Sequence, residues 1–363
     1  MNKHIAKRIS VMVVSSAVIG VSLTAAAHRA AECFDLFGDS AVAAQMLTYT
    51  NGSVDEVYSD VEPEDDDADR QNPEDVAPPQ RKPLADNKSA PTTSPEKPAQ
   101  PAHSGDTYPV VEINSSSGNM SYDNIAFDNT TPYDPDIGAL LASELPFQLA
   151  DNRTVQVLIY HTHTCESYLD EDCGYYYEDF YPRSTDGTQG VIAVGDRIAA
   201  SLKAKGIGVV HDKTLHDYPS YEGSYARSWD TIERYKKKYP GILVTLDIHR
   251  DGMTDDAGTK YKPTFTYQGK KAAQIMIMSG YDESGGFPTW KENLIFATKL
   301  QKECEDNYPG MTRALYFGEF SYNMDFNNGS LLIEVGTDGN TVDEAAYTGE
   351  LLGNALSSVL QKG

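Results

Sequence analysis

Three runs in the C-terminal half carry residue types suited to hydrolytic chemistry: His161-Thr-His163-Thr-Cys-Glu166, Asp247-Ile-His249-Arg250-Asp251, and Glu334 within Leu-Leu-Ile-Glu-Val-Gly. A lone histidine beside a strand is more often structural than a ligand. Here three of the chain's eight histidines fall in two such runs. A hydrolytic zinc centre wants three protein ligands, commonly two His and a carboxylate, with a fourth position left for water. His163 and Glu166 are three apart, so one turn after a strand sets both on the same side, and His249 closes the set from a neighbouring strand. Glu334 is then left as general base, with a buried pairing to Arg250 as the alternative. By two-residue alternation His161 shares a face with His163 and competes for the ligand role; it is placed beside the ligands as their support or replacement. Arg250 suits a developing oxyanion or a substrate carboxylate, and equally a salt bridge to Asp247 or Asp251. His211 and His216 read as ordinary loop or surface residues. A His-x-x-Glu spacing alone is a weak motif; the convergence carries the reading.

The elements that must position these groups are legible from apolar pattern and punctuation. Val155 to Tyr160 reads as a buried strand, Val191 to Lys205 as a helix stopped by Gly206, and Ile207 to Val210 as a second strand. Tyr221 to Tyr239 reads as a helix ending at Pro240-Gly241, followed by a strand from Ile242 to Ile248. Ala273 to Met278 is a further strand, Trp290 to Asn307 a helix closed by Pro309-Gly310, and Ala314 to Phe317 a short strand. Ser330 to Val335 is the last strand and Val342 to Leu360 the last helix. Alternating strands and helices predict an α/β domain with a mostly parallel central sheet flanked by helices, whose chemistry gathers beyond the carboxyl ends of its strands. The Tyr175, Tyr176, Tyr177 and Tyr181 cluster reads first as loop packing, with a substrate groove as the rival.

The remainder of the chain points to a tether. Lys3, Lys7 and Arg8 precede an uncharged run from Ile9 to Ala27, long enough to cross a bilayer. The positive flank puts the rest outside the cytoplasmic membrane as a single-pass protein. A cleaved signal segment is the rival, since Ala25-Ala26-Ala27 offers a small-residue cleavage site. From Asp55 to Asp106 there are 14 acidic residues and nine prolines, too little apolar area to offset ordering entropy, so an extended disordered linker is expected. The expected organisation is therefore an anchor or signal segment over 1–35, a linker over 36–107, a pre-domain segment over 108–150 with a short helix within Ile137 to Leu149, and the catalytic domain over 151–363. A formal net charge of −24 repels phosphate backbones and argues against nucleic-acid binding. Cys33, Cys165, Cys173 and Cys304 lack the paired spacing of a structural zinc knuckle. Cys165 and Cys173 are open to either a small-loop disulfide or two free thiols.

Taken together, Ile159-Tyr-His-Thr-His-Thr-Cys-Glu-Ser-Tyr168, Leu246-Asp-Ile-His-Arg-Asp-Gly252, Trp290-Lys-Glu-Asn-Leu294 and Leu331-Leu-Ile-Glu-Val-Gly-Thr-Asp-Gly-Asn340 resemble the stage II sporulation protein P family over nearly all of Val155 to Leu360. That resemblance implies a fold similar to the zinc-dependent N-acetylmuramoyl-L-alanine amidases and a peptidoglycan substrate. It also implies endopeptidase cleavage of stem-peptide cross-links, and partnership with a lytic transglycosylase and a membrane protein in forespore engulfment. It makes His163 and His249 zinc ligands and Glu334 the catalytic glutamate. One departure stands out: the amidases carry their carboxylate ligand near the start of the first helix, where this chain has Gln189-Gly190, and Glu166 takes that place. A zinc carboxypeptidase-like peptidase using the same groups, and a non-catalytic wall-binding scaffold holding no metal, are the competing readings.

Overall fold

Val157, Leu158, Ile159 and Tyr160 are apolar in succession, so a strand made of them must be covered on both faces. The computed structural model, which describes residues 105–150 and 154–362, builds this arrangement. Among the described residues the elements run β1 (Thr107–Ile113), β2 (Met120–Tyr122), β3 (Ile125–Asn129), α1 (Ile137–Ala142), β4 (Val155–Tyr160), β5 (Tyr175–Tyr177), α2 (Val191–Ala204), β6 (Gly208–His211) and α3 (Ser224–Lys238). They continue with β7 (Val244–Asp251), β8 (Lys260–Tyr267), β9 (Lys270–Ala273), β10 (Ile275–Gly280), α4 (Trp290–Asn307), β11 (Leu315–Gly318), β12 (Ser330–Thr337) and α5 (Val342–Lys362). The expected anchor, Ile9 to Ala27, and nearly all of the expected linker lie outside the described residues. Among those described, no helix is long and apolar enough to cross a membrane.

The larger sheet has the order β2-β3-β11-β10-β12-β7-β4-β6. Its strands β12, β7, β4 and β6 are mutually parallel, and so are β3, β11 and β10. The two parallel groups meet at the antiparallel pair β10–β12, and β2 adds a second antiparallel edge. The sheet is therefore mixed: five of its seven neighbour pairings are parallel, as the mostly parallel expectation has it, and two are antiparallel, which that expectation did not place. Its consequence is directional, because β4, β7 and β12 end on one edge of the sheet while β10 and β11 end on the other. Residues 108–150, read from sequence as preceding the domain, supply β3 to this sheet and β1 to a second one of order β5-β1-β8-β9. Tyr175–Tyr177 is the β5 edge of that second sheet, where Tyr176 stacks on Tyr108 at 5.5 Å.

The second sheet is attached through buried charge. Lys262, on β8, sits 2.9 Å from Glu344 Oε1 and 2.8 Å from Asp172 Oδ2. Glu344 also closes a reciprocal cap on α5, accepting the Thr341 N–H at 3.0 Å while the Glu344 N–H donates to Thr341 Oγ1 at 3.2 Å. Helices cover the larger sheet unevenly. Val157 and Ile159 belong to the main core with Val194 and Ile198 of α2 and Leu352 of α5, whereas Leu158 and Tyr160 pack with Ile232 of α3 and Ile242.

The α2–α5 contact is close because α5 presents glycine there. A Cβ on Gly353 would lie 2.6 Å from Ser201 Cβ and 2.9 Å from the Ile198 carbonyl oxygen, and one on Gly349 would lie 2.7 Å from the Val194 carbonyl oxygen. Two effects oppose each other in Gly353→Ala: helix propensity gains about 1 kcal/mol, while overpacking against a fixed backbone costs about 1–3 kcal/mol. The clash with backbone atoms should win. The variant is expected to unfold at lower urea concentration than the parent, and a raised midpoint would show that the two helices separate freely.

Candidate functional site

The carboxyl ends of β4, β7 and β12 meet in a buried polar cluster. β12 pairs with β7 so that Glu334 is in register with His249, and neighbours in register on parallel strands project to the same face. β4 pairs with β7 with Tyr160 opposite Asp247, which brings the turn after Tyr160 alongside the same place. That turn carries His163 and Glu166. The His163 and His249 rings meet edge to face with centroids 5.1 Å apart, and His249 Nδ1 lies 3.6 Å from Glu166 Oε2. His163, Glu166, His249 and Glu334 are each no more than 5% exposed. The structure thus brings these four expected residues together.

Each is aimed by a neighbour. Glu166 Oε2 accepts the Arg250 N–H at 3.0 Å. The Glu166 carbonyl accepts the Val191 N–H at 3.1 Å, and a Cβ on Gly190 would lie 2.1 Å from that carbonyl oxygen, so only glycine lets the start of α2 close on Glu166. Glu166 is therefore at the start of α2 in space. His163 is flanked by α3 and the loop before it: its Nε2 is 3.0 Å from the Tyr221 hydroxyl, its Nδ1 is 3.4 Å from Ser224 Oγ, and its ring lies parallel to that of Tyr221. His249 Nε2 is 2.9 Å from Asp247 Oδ1 but off the line of a hydrogen bond, so this contact is charge attraction. Glu334 Oε2 is buried without a hydrogen-bond partner.

These placements push the ionisable groups strongly. Burial drives the Glu334 carboxyl up to about 8, with Asp251 and Glu166 pushing the same way and His249 opposing. Burial also raises Glu166, against the attraction of His249 and Arg250. For His249 burial lowers the imidazolium pKa, but Asp247, Glu166 and Glu334 outweigh it and hold it up at about 10. His163 goes the other way, held well below its usual range by burial and by the positive fields of His249, Arg183 and Arg250. His163 is thus a neutral imidazole at neutral pH, the form in which a ring nitrogen keeps a lone pair to donate.

Two other expected site residues are placed differently. His161 is turned toward α2, its Nδ1 2.7 Å from the Ile248 carbonyl oxygen and its Nε2 2.8 Å from His211 Nε2. β4 ends at Tyr160, so the alternation that paired His161 with His163 does not extend to them. Arg250 directs Nε to the Ser167 carbonyl at 2.8 Å, one terminal nitrogen to Pro182 at 2.6 Å and the other to Asp251 at 3.2 Å. It braces backbone and is not aimed at the cluster. Nor are His211 and His216 ordinary surface residues. His211 bridges His161 and Asp196, and His216 is buried between the His161 carbonyl and Thr231. Cys165 and Cys173 are both free thiols.

Sequence reasoning missed Asp247 as a member of the cluster, although its position two residues before His249 on a strand was a usable signal. It also missed Tyr221 and Arg183, which come from loops with no periodicity to place them. The donor types of His163, Glu166 and His249 suit a zinc ion, and one buried polar atom beside them, Glu334 Oε2, has no hydrogen-bond partner. In their present rotamers the donor atoms do not converge, and among the described residues no group of three His, Cys, Asp or Glu is arranged to hold a metal. The set fits a metal in chemistry and adjacency, and side-chain rotation would have to bring it to a point.

Among known proteins, the family model for Stage II sporulation protein P matches residues 38–357. A curated relative, Stage II sporulation protein P of Bacillus subtilis (strain 168), is 30% identical over 210 residues, which cover 55% of this chain. The match spans about half of that relative, 49% of its length. Similar solved structures include the CwlD amidase from Clostridioides difficile in complex with the GerS lipoprotein, at 11% identity and a TM-score of 0.35, over 57% of this chain and 100% of that one. The N-acetylmuramoyl-L-alanine amidase AmiC2 of Nostoc punctiforme is similar at 16% identity and a TM-score of 0.34, over 59% of this chain and 98% of that one. Scores this low leave the meaning of the site to its own distances and charges.

Those charges make the metal-free protein pH-sensitive in a definite direction. Glu334, whose pKa rises from an ordinary 4.5 to about 8 on folding, favours the folded state below 4.5, and that contribution is lost as pH climbs toward 8. His249, raised from 6.5 to about 10, contributes below 6.5 and loses its contribution as pH rises toward 10. Below 6.5 the buried His161 and His163, both depressed, act in the opposite sense. Above 6.5, with chelator present, stability should fall with rising pH, and Glu334→Gln should flatten the fall up to about 8. Parallel urea midpoints for parent and variant across that range would contradict the assigned burial of Glu334.

Proposed function

The chain belongs to the stage II sporulation protein P family, and on that premise we propose that it is a zinc-dependent peptidoglycan hydrolase, cutting wall amide bonds as an N-acetylmuramoyl-L-alanine amidase with stem-peptide endopeptidase activity. The observation that carries this reading is the buried meeting of His163, Glu166, His249 and Glu334 at three strand ends, with one carboxylate oxygen of Glu334 unpaired. Burying that many ionisable groups is costly for a fold and is characteristic of reactive centres. His163, Glu166 and His249 would hold the metal. The position of Glu166 at the start of α2 supports its place in the set, since that is where the related amidases are expected to carry their carboxylate. When bound, zinc supplies positive charge that polarises the scissile carbonyl and acidifies the attacking water.

The chain's own residues do the rest. Glu334, beside His249 and free at Oε2, takes the proton of the attacking water and returns it to the leaving amine. Asp247 orients His249 by charge from its far side. The buried walls of β4, β7 and β12 limit bulk water and strengthen each of these interactions. We place this activity outside the cytoplasmic membrane, tethered through Ile9 to Ala27, in forespore engulfment alongside a lytic transglycosylase and a membrane-protein partner.

The decisive experiment pairs metal analysis with product mass spectra on purified wall. His163→Ala and His249→Ala should each lose zinc and activity together. Glu334→Gln should keep zinc and wall binding while turnover falls by about 10²-fold or more. Wall binding by a parent chain that holds no zinc and releases no product would identify a scaffold instead, and products cut only between stem-peptide residues would identify a peptidase.

A further inference from the structure

Tyr181 and Tyr218 are the two most exposed large hydrophobic side chains among the described residues, at 71% and 59%, and neither belongs to a core cluster. Rings left in water add little to the stability of a fold. Tyr181 reads from sequence with Tyr175–Tyr177, yet it parts from them: those three form β5, and Tyr181 lies in the loop that follows.

Both rings stand where the buried cluster opens. Pro182 to Ser184 run alongside the turn that carries Glu166, the Pro182 carbonyl accepting the Ser167 N–H at 3.2 Å and the Cys165 carbonyl accepting the Ser184 N–H at 2.7 Å, and Tyr181 immediately precedes them. Tyr218 immediately follows Asp217, whose carboxylate accepts the Cys165 N–H of the same turn at 3.1 Å. Arg183 ties the two loops together, its guanidinium paired with Asp217 and 5.0 Å from the centroid of the Tyr221 ring, which itself lies along His163. Two exposed aromatic rings are thus anchored to the turn that holds His163 and Glu166.

Charge decides what such rings can hold. Asp179, two residues before Tyr181, and Glu222, beside Tyr221, are exposed acids, and the Arg183 guanidinium between the loops is already paired. Together with the formal net charge of −24, these acids disfavour phosphate and carboxylate ligands. A neutral pyranose meets no such penalty, because its C–H face lies flat on an aromatic ring while its hydroxyls stay in water or reach the phenol. Wall glycan is a chain of such sugars, whereas free stem peptides carry carboxylates. Resting on the hydrolase reading, we propose that Tyr181 and Tyr218 form a glycan-binding rim, whose ring faces stack on the N-acetylated sugars of the wall strand and hold it across the mouth of the cluster. The rim positions the strand, and no bond is made or broken there.

The test is co-sedimentation of the full chain with purified peptidoglycan, in chelator so that binding is read apart from turnover, with soluble N-acetylglucosamine oligomers or free stem peptides as competitors. The parent should be displaced by the sugar oligomer and not by the peptide. Tyr181→Ala combined with Tyr218→Ala should weaken wall binding about tenfold, while Tyr181→Phe combined with Tyr218→Phe should stay within about threefold of the parent, since the rings remain. Urea midpoints of both variants should match the parent, because neither side chain is buried. Wall binding by the double Ala variant within about threefold of the parent would overturn the proposal, as would a parent that does not sediment with wall. A double Phe variant as weak as the double Ala one would put the contact on the hydroxyls, and displacement by stem peptide alone would make the occupant a peptide; either result ends the stacking proposal. A parent that binds wall through these rings and releases no product sinks the hydrolase reading and leaves the rim standing. A parent that cuts wall, with its double Ala variant binding unchanged, sinks the rim alone.

Discussion

Asp247 lies in the middle of the sheet with no solvent exposure, and a carboxylate so placed must be surrounded by donors or opposite charge. Its two oxygens take the Thr162 N–H at 2.8 Å and the Thr162 hydroxyl at 2.6 Å, and His249 stands 2.9 Å away on its own strand. Thr162 is the residue between His161 and His163. Satisfying one buried charge therefore fixes the turn that carries the first histidine against the strand that carries the second. The linkage continues outward, because Thr162 Oγ1 also meets Ser228 Oγ on α3 at 2.8 Å, and the first turn of α3 supplies Ser224 and Tyr225 beside the His163 ring. Sheet, turn and helix are aligned through a single side chain.

This arrangement exchanges stability for reactivity. Two acids raised by burial lie beside an imidazole raised chiefly by Asp247 and then by those two acids, so in the metal-free protein the cluster retains protons that the separated groups would release. Hydrophobic side chains of equal volume at these positions would cost the fold less. The surrounding core offsets that cost: β4 is apolar on both faces, α2 and α5 approach at glycine distance, and Lys262 draws the second sheet onto the capped start of α5. Stability comes from the layers, and the edge where β4, β7 and β12 end is free to be strained.

Much of this layering is legible in the sequence wherever local pattern and punctuation agree. Trp290–Asn307 is a helix bounded as expected because its apolar positions recur at helical spacing and Pro309-Gly310 closes it. Val155–Tyr160 is unambiguous because nothing but a doubly covered strand suits its run of apolar residues. The second sheet was not legible, and its physical reason is long-range pairing. Lys260–Tyr267 is buried along most of its length although it contains two lysines, because Asp338, Glu344 and Asp172 neutralise them from distant parts of the chain. No local period reports an ion pair that sequence places far apart. Strand direction was equally hidden, since nothing in Ile275–Gly280 distinguishes a parallel neighbour of β12 from an antiparallel one.

For the site, residue type was informative and side-chain direction was less so. His163, Glu166, His249 and Glu334 came together because the first two lie in the turn just past β4 and the other two in the last residues of β7 and β12, toward the same sheet edge. Whether alternation applies depends on whether the chain is still in a strand, and the two histidine runs differ in this respect. β4 stops at Tyr160, so His161 and His163 lie in a turn and separate, the first toward α2 and His211, the second toward α3. β7 continues through Asp251, so alternation does hold there. Asp247 and His249 share one face, and Arg250 is carried to the other, onto the carbonyls of Ser167 and Pro182. A strand longer by three residues than its apolar run thus determines that the guanidinium braces the loop behind Glu166.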